Sequence, residues 1–237
     1  MVTNGQRRTG SSRTVKYRYG ALLAALVITI FVFPFLTSNK KLVLWLFQLV
    51  SIGLFATALH AVSRQRKILV IAVVLGVPML IGGVLGESLQ VEVAFSVGSA
   101  FRALFLTFLI VAVFSDIWRR DRITMDAIFG ACTIYLLIAF AGGAAYSLLE
   151  SLAPGSFDLS ASPALAGEAG GRAAMMSELS YFSIITMTTV GYGDIVPVSP
   201  TARALAGLQG LVAQLYLAII IARLVSLEIT HRSHDSS

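Results

Sequence analysis

Charged side chains are scarce in this chain of 237 residues, since Asp, Glu, Lys and Arg together make up only 13% of it. A typical soluble domain carries about 25% of these residues and needs them to cover its surface. The apolar residues instead reach 57%, and the mean hydropathy is +0.83. The composition therefore excludes an ordinary soluble protein and predicts an integral membrane protein.

Cysteine is almost absent as well. The single cysteine, Cys132, lies within an apolar run, so an intrachain disulfide is excluded and no metal cluster is indicated. No Ser/His/Asp or metal-ligand set converges on one side of the membrane, and we therefore predict no enzymatic activity and no cofactor. We interpret Cys132 as a small packing residue.

The net charge of +6 comes from cations placed mainly before and between apolar runs. No basic stripe with interleaved aromatic residues is present to hold phosphates, so nucleic acid is excluded as a partner and no soluble partner is evident. Five basic residues precede the first apolar run, and further clusters follow the second and the fourth. This asymmetry predicts a cytoplasmic N-terminus and, with an even number of spans, a cytoplasmic C-terminus.

Six apolar segments are long enough, or nearly so, to cross a hydrocarbon core of about 30 Å as helices. They cover residues 19–36, 42–62, 68–85, 93–118, 123–149 and 201–229. Between the fifth and the sixth, residues 150–177 are rich in Gly, Ala, Ser and Pro and predict a flexible external loop. Ser177 as a cap and Glu178 in the first turn then predict a short helix over 178–188. It is too short to span, which indicates a re-entrant element.

The short helix is followed by Thr188-Thr189-Val190-Gly191-Tyr192-Gly193-Asp194. A pore must replace the hydration shell of an ion with oxygen atoms, and rings of backbone carbonyls do this when they all face one axis. Such an arrangement needs dihedral angles that side chains disfavour, and Gly191 and Gly193 supply that freedom. The short helix should also direct the partial negative charge of its C-terminal end at the cavity beneath.

The segment from Thr188 to Asp194, together with the short helix before it, resembles the pore signature of tetrameric potassium channels. The resemblance covers residues 125–227, a helix–pore loop–helix unit. The first four predicted helices resemble those of six-helix bacterial-type subunits only in number and placement. The resemblance implies that dehydrated K⁺, as the permeant ion, is coordinated by the Thr189 hydroxyl and by the carbonyls of Thr189, Val190, Gly191 and Tyr192. It implies supporting roles for Thr188, Gly193, Asp194, Tyr181 and Phe182.

This resemblance defines the predicted fold class and domains. The fold is an all-α membrane protein with six transmembrane helices, a re-entrant pore helix and a filter loop in each subunit. The predicted parts are a basic N-terminus (1–18), a four-helix domain (19–118), a pore domain (119–229, with loop 150–177, pore helix 178–188 and filter 189–193) and a tail (230–237). Only eight residues follow Ile229, so we expect no regulatory C-terminal domain there.

The chain contains one pore loop and no internal repeat, whereas a fourfold ring needs four loops. We therefore predict a homotetramer with a cyclic axis, surrounded by membrane lipid. The family and the compact chain imply a bacterial inner membrane. Two alternatives remain open: a weakly selective cation channel, and a non-conducting membrane subunit whose pore module serves assembly.

Voltage sensing needs a series of arginines in the fourth helix, and this chain has Arg102 and then no basic residue until Arg119. We therefore expect passive K⁺ conduction without steep voltage dependence. Arg102 is expected to reach the outer interface or to pair with Glu87 or Glu92.

Three positions depart from common family patterns. Phe182 offers no hydrogen-bond donor to Tyr192, so packing alone is expected to hold that ring. Ile185 stands where some bacterial members have a glutamate, which leaves Asp194 without a carboxyl partner. In the sixth helix Ala213 occupies the hinge-glycine position. Gln209 and Gln214 are both candidates to face the cavity, and we assign Gln214 to it.

Overall fold

The computed structural model describes residues 18–32, 52–53, 55–56, 58–59, 66–88, 91–120, 124–162 and 171–235. Within these ranges the regular structure is almost entirely helical. The helices are α1 (Arg18–Val32), α2 (Arg66–Ser88), α3 (Glu92–Trp118), α4 (Met125–Leu152), α5 (Arg172–Met187) and α6 (Pro200–Asp235). Two short strands, β1 (Phe157–Asp158) and β2 (Val196–Pro197), form an antiparallel pair.

Four helices, α2, α3, α4 and α6, are long and apolar enough to cross a membrane. They correspond to the third to sixth predicted segments, which are thereby confirmed as helices. The α1 helix has a shorter apolar part, Tyr19–Phe31. The second predicted segment, 42–62, lies mostly outside the described residues, although its described positions are helical. The presence of six spans therefore stays a prediction.

Local sequence explains where α4 and α6 begin. Thr124 has an extended backbone, and its Oγ1 accepts a hydrogen bond from the backbone N of Ala127 at 3.2 Å. Ser199 Oγ accepts one from the backbone N of Ala202 at 3.1 Å. Pro200 is the first residue of α6, where the missing N–H of proline leaves no intrahelical bond unmade.

The predicted start of the short helix at Ser177 is wrong. The α5 helix begins at Arg172, after Gly171, whose extended backbone (φ −88°, ψ −178°) forms the N-cap. Residues 173–176 are alanines and methionines, which favour a helix, and Ala173 and Met176 are buried. Propensity and packing thus extend the helix toward its N-terminus. With 16 residues, α5 is still not among the helices long enough to span.

The first part of the predicted flexible loop is structured. In the strand pair, Phe157 lies opposite Pro197, which follows the filter. The Glu150 carboxylate accepts hydrogen bonds from the backbone N of Gly155 in the turn, at 2.7 Å, and from that of Phe157 at the start of β1, at 3.0 Å. The Phe157 ring is buried against Tyr146, with ring centroids 5.2 Å apart. The expectation of flexibility was wrong because a long-range pairing leaves no trace in local composition.

The helices outside the filter region share one apolar core. All four of the helices α1 to α4 contribute fully buried members to it, including Leu22, Ala72, Phe105 and Leu137. The α2 and α3 helices approach backbone to backbone, since a Cβ added at Gly82 would lie 2.5 Å from the Cα of Gly98. These four helices therefore form the scaffold against which the filter region is held.

An ionic cluster joins three helices at the end of the molecule opposite the strand pair. Arg120 pairs with Asp116 at 2.6 Å and with Asp126 at 3.1 Å. The hydroxyl of Tyr19 donates to Asp116 at 2.7 Å, and its backbone N donates to Asp126 at 3.1 Å. The start of α1, the end of α3 and the start of α4 are thereby tied together.

Candidate functional site

The candidate site is the filter segment, residues 189–193, together with the end of α5 that precedes it. The last four carbonyls of a helix lack intrahelical partners. Here the chain itself supplies the donors: the backbone N of Thr188 donates to Ile184 O at 2.9 Å, and those of Val190 and Gly191 donate to Ile185 O at 3.0 and 3.3 Å. The N–H groups that lead into the filter segment are thus directed back toward α5.

The backbone of the filter segment alternates in conformation. The φ angle is positive at Thr189 (61°), Gly191 (52°) and Gly193 (80°), and at neither Val190 nor Tyr192. Alternation between right- and left-handed residues turns successive peptide groups to the same side instead of to opposite sides. The predicted freedom at the two glycines is confirmed. The positive φ at Thr189 is the part that residue type does not foretell, because threonine avoids that region.

The carbonyls of Thr189 and Val190 point away from α5, because each shares a trans peptide with an N–H group that donates to Ile185 O. Within the described part of the chain, no hydrogen-bond donor reaches the carbonyl oxygens of residues 189–192. The side chains of Val190 and Tyr192 are also exposed, at 50% and 73%. The carbonyl oxygens of residues 189–192 and the side chains of Val190 and Tyr192 are therefore accessible to groups outside the described part of the chain.

Tyr181 and Asp194, both predicted to support the filter, meet directly. The Tyr181 hydroxyl donates to Asp194 Oδ2 at 2.8 Å, and Asp194 Oδ1 accepts from the backbone N of Ile195 at 3.1 Å. Burial, together with the hydrogen bond to Asp194, raises the pKa of Tyr181 to about 12. The hydroxyl therefore remains a donor at neutral pH and fastens the residue after the filter segment to α5.

Phe182 lies in an apolar cluster with Ile195, which follows the filter segment, and its supporting role stays a prediction. Its buried ring packs against those of Tyr146 and Phe157, with centroids 5.3 and 5.5 Å away. Among the residues that the structure describes, none makes a ring contact or hydrogen bond with the Tyr192 side chain. The packing expected to hold Tyr192 is therefore not found within the described part of one chain.

Gln209 is not a cavity residue. It is buried to 8% exposure, its Nε2 donates to Ser183 Oγ at 2.6 Å, and its Oε1 accepts a hydrogen bond from the Tyr146 hydroxyl. The rotation of α6 about its axis turns Gln209 toward α4 and α5. Gln214 is exposed in the single chain, and its position at a cavity stays a prediction.

Sequence reasoning missed the partners of Gln209 and a further contact at the end of α5. The Tyr135 hydroxyl donates to the carbonyl of Met187 at 3.3 Å. Ala213, at the predicted hinge position, is fully buried in a small cluster with Met187 and Ala139. Polar residues spaced along apolar helices were the available signal, because such groups seek partners inside a membrane protein.

The α3 helix contacts the first half of α5. Arg102 donates to the sulfur of Met176, and Arg172 lies over the ring of Phe95, 5.8 Å from its centroid. Arg102 therefore contacts α5, and its expected position at the outer interface stays a prediction. A pairing with the Glu87 side chain lies outside the described residues.

Comparison with known proteins supports a channel-like unit. Residues 134–229 match the sequence model of a protein family described as "Ion channel". The potassium voltage-gated channel protein shk-1 of Caenorhabditis elegans is 41% identical over 46 residues, which are 19% of this chain and only 9% of that protein. No solved structure matches the chain. The family match begins within α4 and ends within α6, so it contains the filter segment.

Together, the four long apolar helices and this match define a membrane protein that is similar to ion channels in its helix–filter–helix unit. No group of three or more His, Cys, Asp or Glu side chains in the described ranges is arranged to hold a metal ion.

Proposed function

We propose that this chain is the subunit of a potassium-selective channel that conducts K⁺ passively across a membrane. The observation that carries the proposal is the positive φ at residues 189, 191 and 193 in a segment whose first three N–H groups donate to α5. The family match and the short similarity to a potassium voltage-gated channel support it. A channel family also points away from an enzyme.

In this proposal the permeant ion exchanges its water shell for protein oxygens. Rings formed by the carbonyls of Thr189, Val190, Gly191 and Tyr192, with the Thr189 hydroxyl as a further ring, surround dehydrated K⁺. The C-terminal end of α5 carries partial negative charge and favours a cation below the filter. Thr188 closes the last turn of α5, since its Oγ1 donates to Ile184 O at 2.8 Å.

The rings require four copies of the chain, and we therefore propose a homotetramer in lipid. The exposed apolar side chains of the filter segment gain partners in such an assembly. One face of α6 also exposes large apolar residues at helical spacing, namely Leu208, Leu211, Leu215 and Ile219. We place the filter mouth outside the cell and both termini in the cytoplasm, as the cation distribution favours.

The proposed channel lacks steep voltage gating. Between Glu92 and Trp118 the α3 helix carries one basic residue, Arg102. Moving one elementary charge through the membrane potential changes the energy by only about 2.3 kcal/mol per 100 mV. A single such residue, held against Met176 of α5, cannot supply the many gating charges that steep opening needs.

The decisive experiment is the reversal potential of the purified protein in a planar bilayer under opposed K⁺ and Na⁺ gradients. We expect a value near the K⁺ equilibrium potential. A value near zero with clear current would replace the proposal by a weakly selective cation channel. Failure of reconstituted vesicles to take up a K⁺ analogue, with tetramers present, would favour the non-conducting assembly subunit.

A further inference from the structure

A chain of buried polar groups crosses the interface of three helices behind the filter segment. The Tyr146 hydroxyl of α4 donates to Gln209 Oε1 of α6. Gln209 Nε2 donates to Ser183 Oγ of α5 at 2.6 Å, and Ser183 Oγ donates to Ala139 O of α4 at 2.6 Å. The side chains of Tyr146, Ser183 and Gln209 are 1%, 0% and 8% exposed. We call these three residues the polar link.

The α4 helix has two glycines where it faces the polar link. A Cβ at Gly142 would lie 2.5 Å from Ser183 Oγ and would also clash with the Gln209 amide. In the next position, a Cβ at Gly143 would lie 2.7 Å from the Cα of Ser180. The α4 helix is thus free of side chains where Gln209 reaches α5. Buried amide and hydroxyl groups are costly unless they are paired, and the polar link pairs them.

The polar link contacts α5 next to the carbonyl groups that accept hydrogen bonds from the filter segment. Ser183 lies one helical turn before Met187, which ends α5. The carbonyls of Ile184 and Ile185, immediately after Ser183, receive the N–H groups of Thr188, Val190 and Gly191. A shift or rotation of α5 at Ser183 therefore moves the groups that orient the filter carbonyls.

A second contact between α6 and α5 is apolar and less directional. Ala213 lies one turn after Gln209 on the same face of α6 and packs against Met187. Apolar contacts tolerate sliding, whereas a hydrogen bond weakens steeply as its angle departs from linearity. Of these two contacts, only the one made by Gln209 specifies the orientation of α5.

We propose that Gln209 is a positioning residue for ion selection: through Ser183 and Tyr146 it holds α5 in the orientation that aims the carbonyls of the filter segment. The inference deepens the proposed function and rests on it for its meaning in conduction. Gln209 itself touches no ion. Its amide fits the task because it offers an acceptor to one helix and a donor to the other.

The test compares the loss of hydrogen bonds inside and outside the polar link. Gln209→Leu removes both hydrogen bonds of the amide and keeps a side chain of similar size. Tyr216→Phe is the control on the same helix, because it removes the hydrogen bond that the Tyr216 hydroxyl donates to Ala131 O at 2.8 Å, outside the polar link. Tyr146→Phe provides a milder variant that loses one hydrogen bond and keeps its ring among Phe157 and Phe182. It remains informative if Gln209→Leu fails to fold.

The first measurement is hydrogen–deuterium exchange of purified wild-type and variant protein in K⁺. We expect the amides of residues 188–191 to exchange about three to ten times faster in Gln209→Leu and Tyr146→Phe, as loss of one or two hydrogen bonds predicts. Tyr216→Phe should match the wild type, and the amides of α2 and α3 should not change. Equal exchange at residues 188–191 in all four proteins would overturn the inference.

The second measurement is the K⁺ to Na⁺ permeability ratio, which a residue that only stabilises the fold would leave unchanged. We expect this ratio to fall in Gln209→Leu and Tyr146→Phe and to persist in Tyr216→Phe. A ratio equal to that of the wild type in folded Gln209→Leu and Tyr146→Phe channels would contradict a positioning role. If the wild type itself passes no selective current, the proposed function fails, and the exchange experiment still decides whether Gln209 positions the filter segment.

Discussion

Just after the filter segment, the hydroxyl group of Tyr181 joins α5 to Asp194. Tyr181 donates to Asp194 at 2.8 Å, and a hydrogen bond to a charged group contributes roughly 1.5–3 kcal/mol when buried and less where water competes, as at this exposed pair. We expect the current through Tyr181→Phe channels to decay faster than that of the wild type, because Asp194 loses its hydrogen bond to α5. The time course of the current in a planar bilayer measures this decay.

The matched control for Tyr181→Phe is Tyr216→Phe. The Tyr216 hydroxyl donates to Ala131 O at 2.8 Å, between α6 and α4 and away from the filter segment. This variant also loses one hydrogen bond but should leave current decay unchanged. Equal effects of the two substitutions would mean that the Tyr181 hydroxyl has no specific role at the mouth.

The carboxyl group of Glu178 in α5 predicts a pH dependence of folding stability. Partial burial raises the pKa of its carboxyl above the ordinary 4.5, and the negative charge of Asp194 acts in the same direction. The folded state therefore binds the proton more tightly than the unfolded state, and stability falls as the pH rises through the raised pKa. Glu178→Gln should remove this loss, so its melting temperature should exceed that of the wild type at pH 7 and match it below pH about 4.

Asp158→Asn gives the opposite dependence and serves as the control. Hydrogen bonds from Ser160 lower the pKa of the exposed Asp158 carboxyl. Its stabilising contribution is present above the ordinary pKa of an aspartate and disappears as the pH falls through the lowered value. Parallel changes in the two variants would contradict the assigned shifts.

Residue types foretold part of the site and failed at other positions for physical reasons. The left-handed conformations of Gly191 and Gly193 follow from the freedom of glycine. Thr189 takes the same conformation against its own preference, which only the surrounding structure can impose. The inward direction of Gln209 depends on how α6 is rotated, and the polarity of one residue does not specify that rotation.

At the scale of whole elements, the close contact of α4 with α5 depends on Gly143, because glycine has no side chain. Because a Cβ at Gly143 would lie 2.7 Å from the backbone of Ser180, Gly143→Ala forces the two helices apart. Overpacking of this kind destabilises by about 1–3 kcal/mol. We expect a lower melting temperature and loss of the filter conformation.

Gly210→Ala is the control for this element-scale prediction. Among the residues that the structure describes, none lies within 4 Å of a Cβ at Gly210, and alanine favours the helix. Its subunit should be as stable as the wild type or more so. A comparable loss of stability in both variants would show that helix propensity or assembly, and not the contact with Ser180, decides the effect at Gly143.

The elements were more predictable than their ends. Apolar runs foretold α2, α3, α4 and α6 because a span needs length and little else. The start of α5 was misplaced because Ser177 resembles a cap, while the buried side chains before it favour continuation of the helix. The strand pair was missed because its partners are separated by the whole of α5.

For the whole molecule, the prediction is that one defective subunit silences a tetramer. At Gly191 a Cβ meets nothing within 4 Å in the described part of the chain, but φ is 52°, so Gly191→Ala strains the backbone without a clash there. Left-handed backbone costs about 1–2 kcal/mol for an ordinary residue, here in every subunit. Co-expressed equally with wild type, the variant should reduce the current to about one sixteenth, the fraction of all-wild-type tetramers.

Variant protein expressed alone provides the control, because it should still form assemblies of four times the subunit mass of 25.3 kDa in native mass spectrometry. A current that falls only to one half in the mixture would indicate that each chain conducts by itself. Normal current from the pure variant would refute the assignment of the filter segment.

The single chain already supplies hydrogen bonds that hold the filter segment, and this has a consequence for biogenesis of the proposed tetramer. The amides of residues 188–191 donate to α5 of the same chain, and Asp194 accepts from Tyr181 of the same chain. In the proposed tetramer, each newly inserted subunit would therefore carry its filter segment already folded. Assembly in the bilayer would then require docking of four preformed segments, without folding of the filter after the subunits meet.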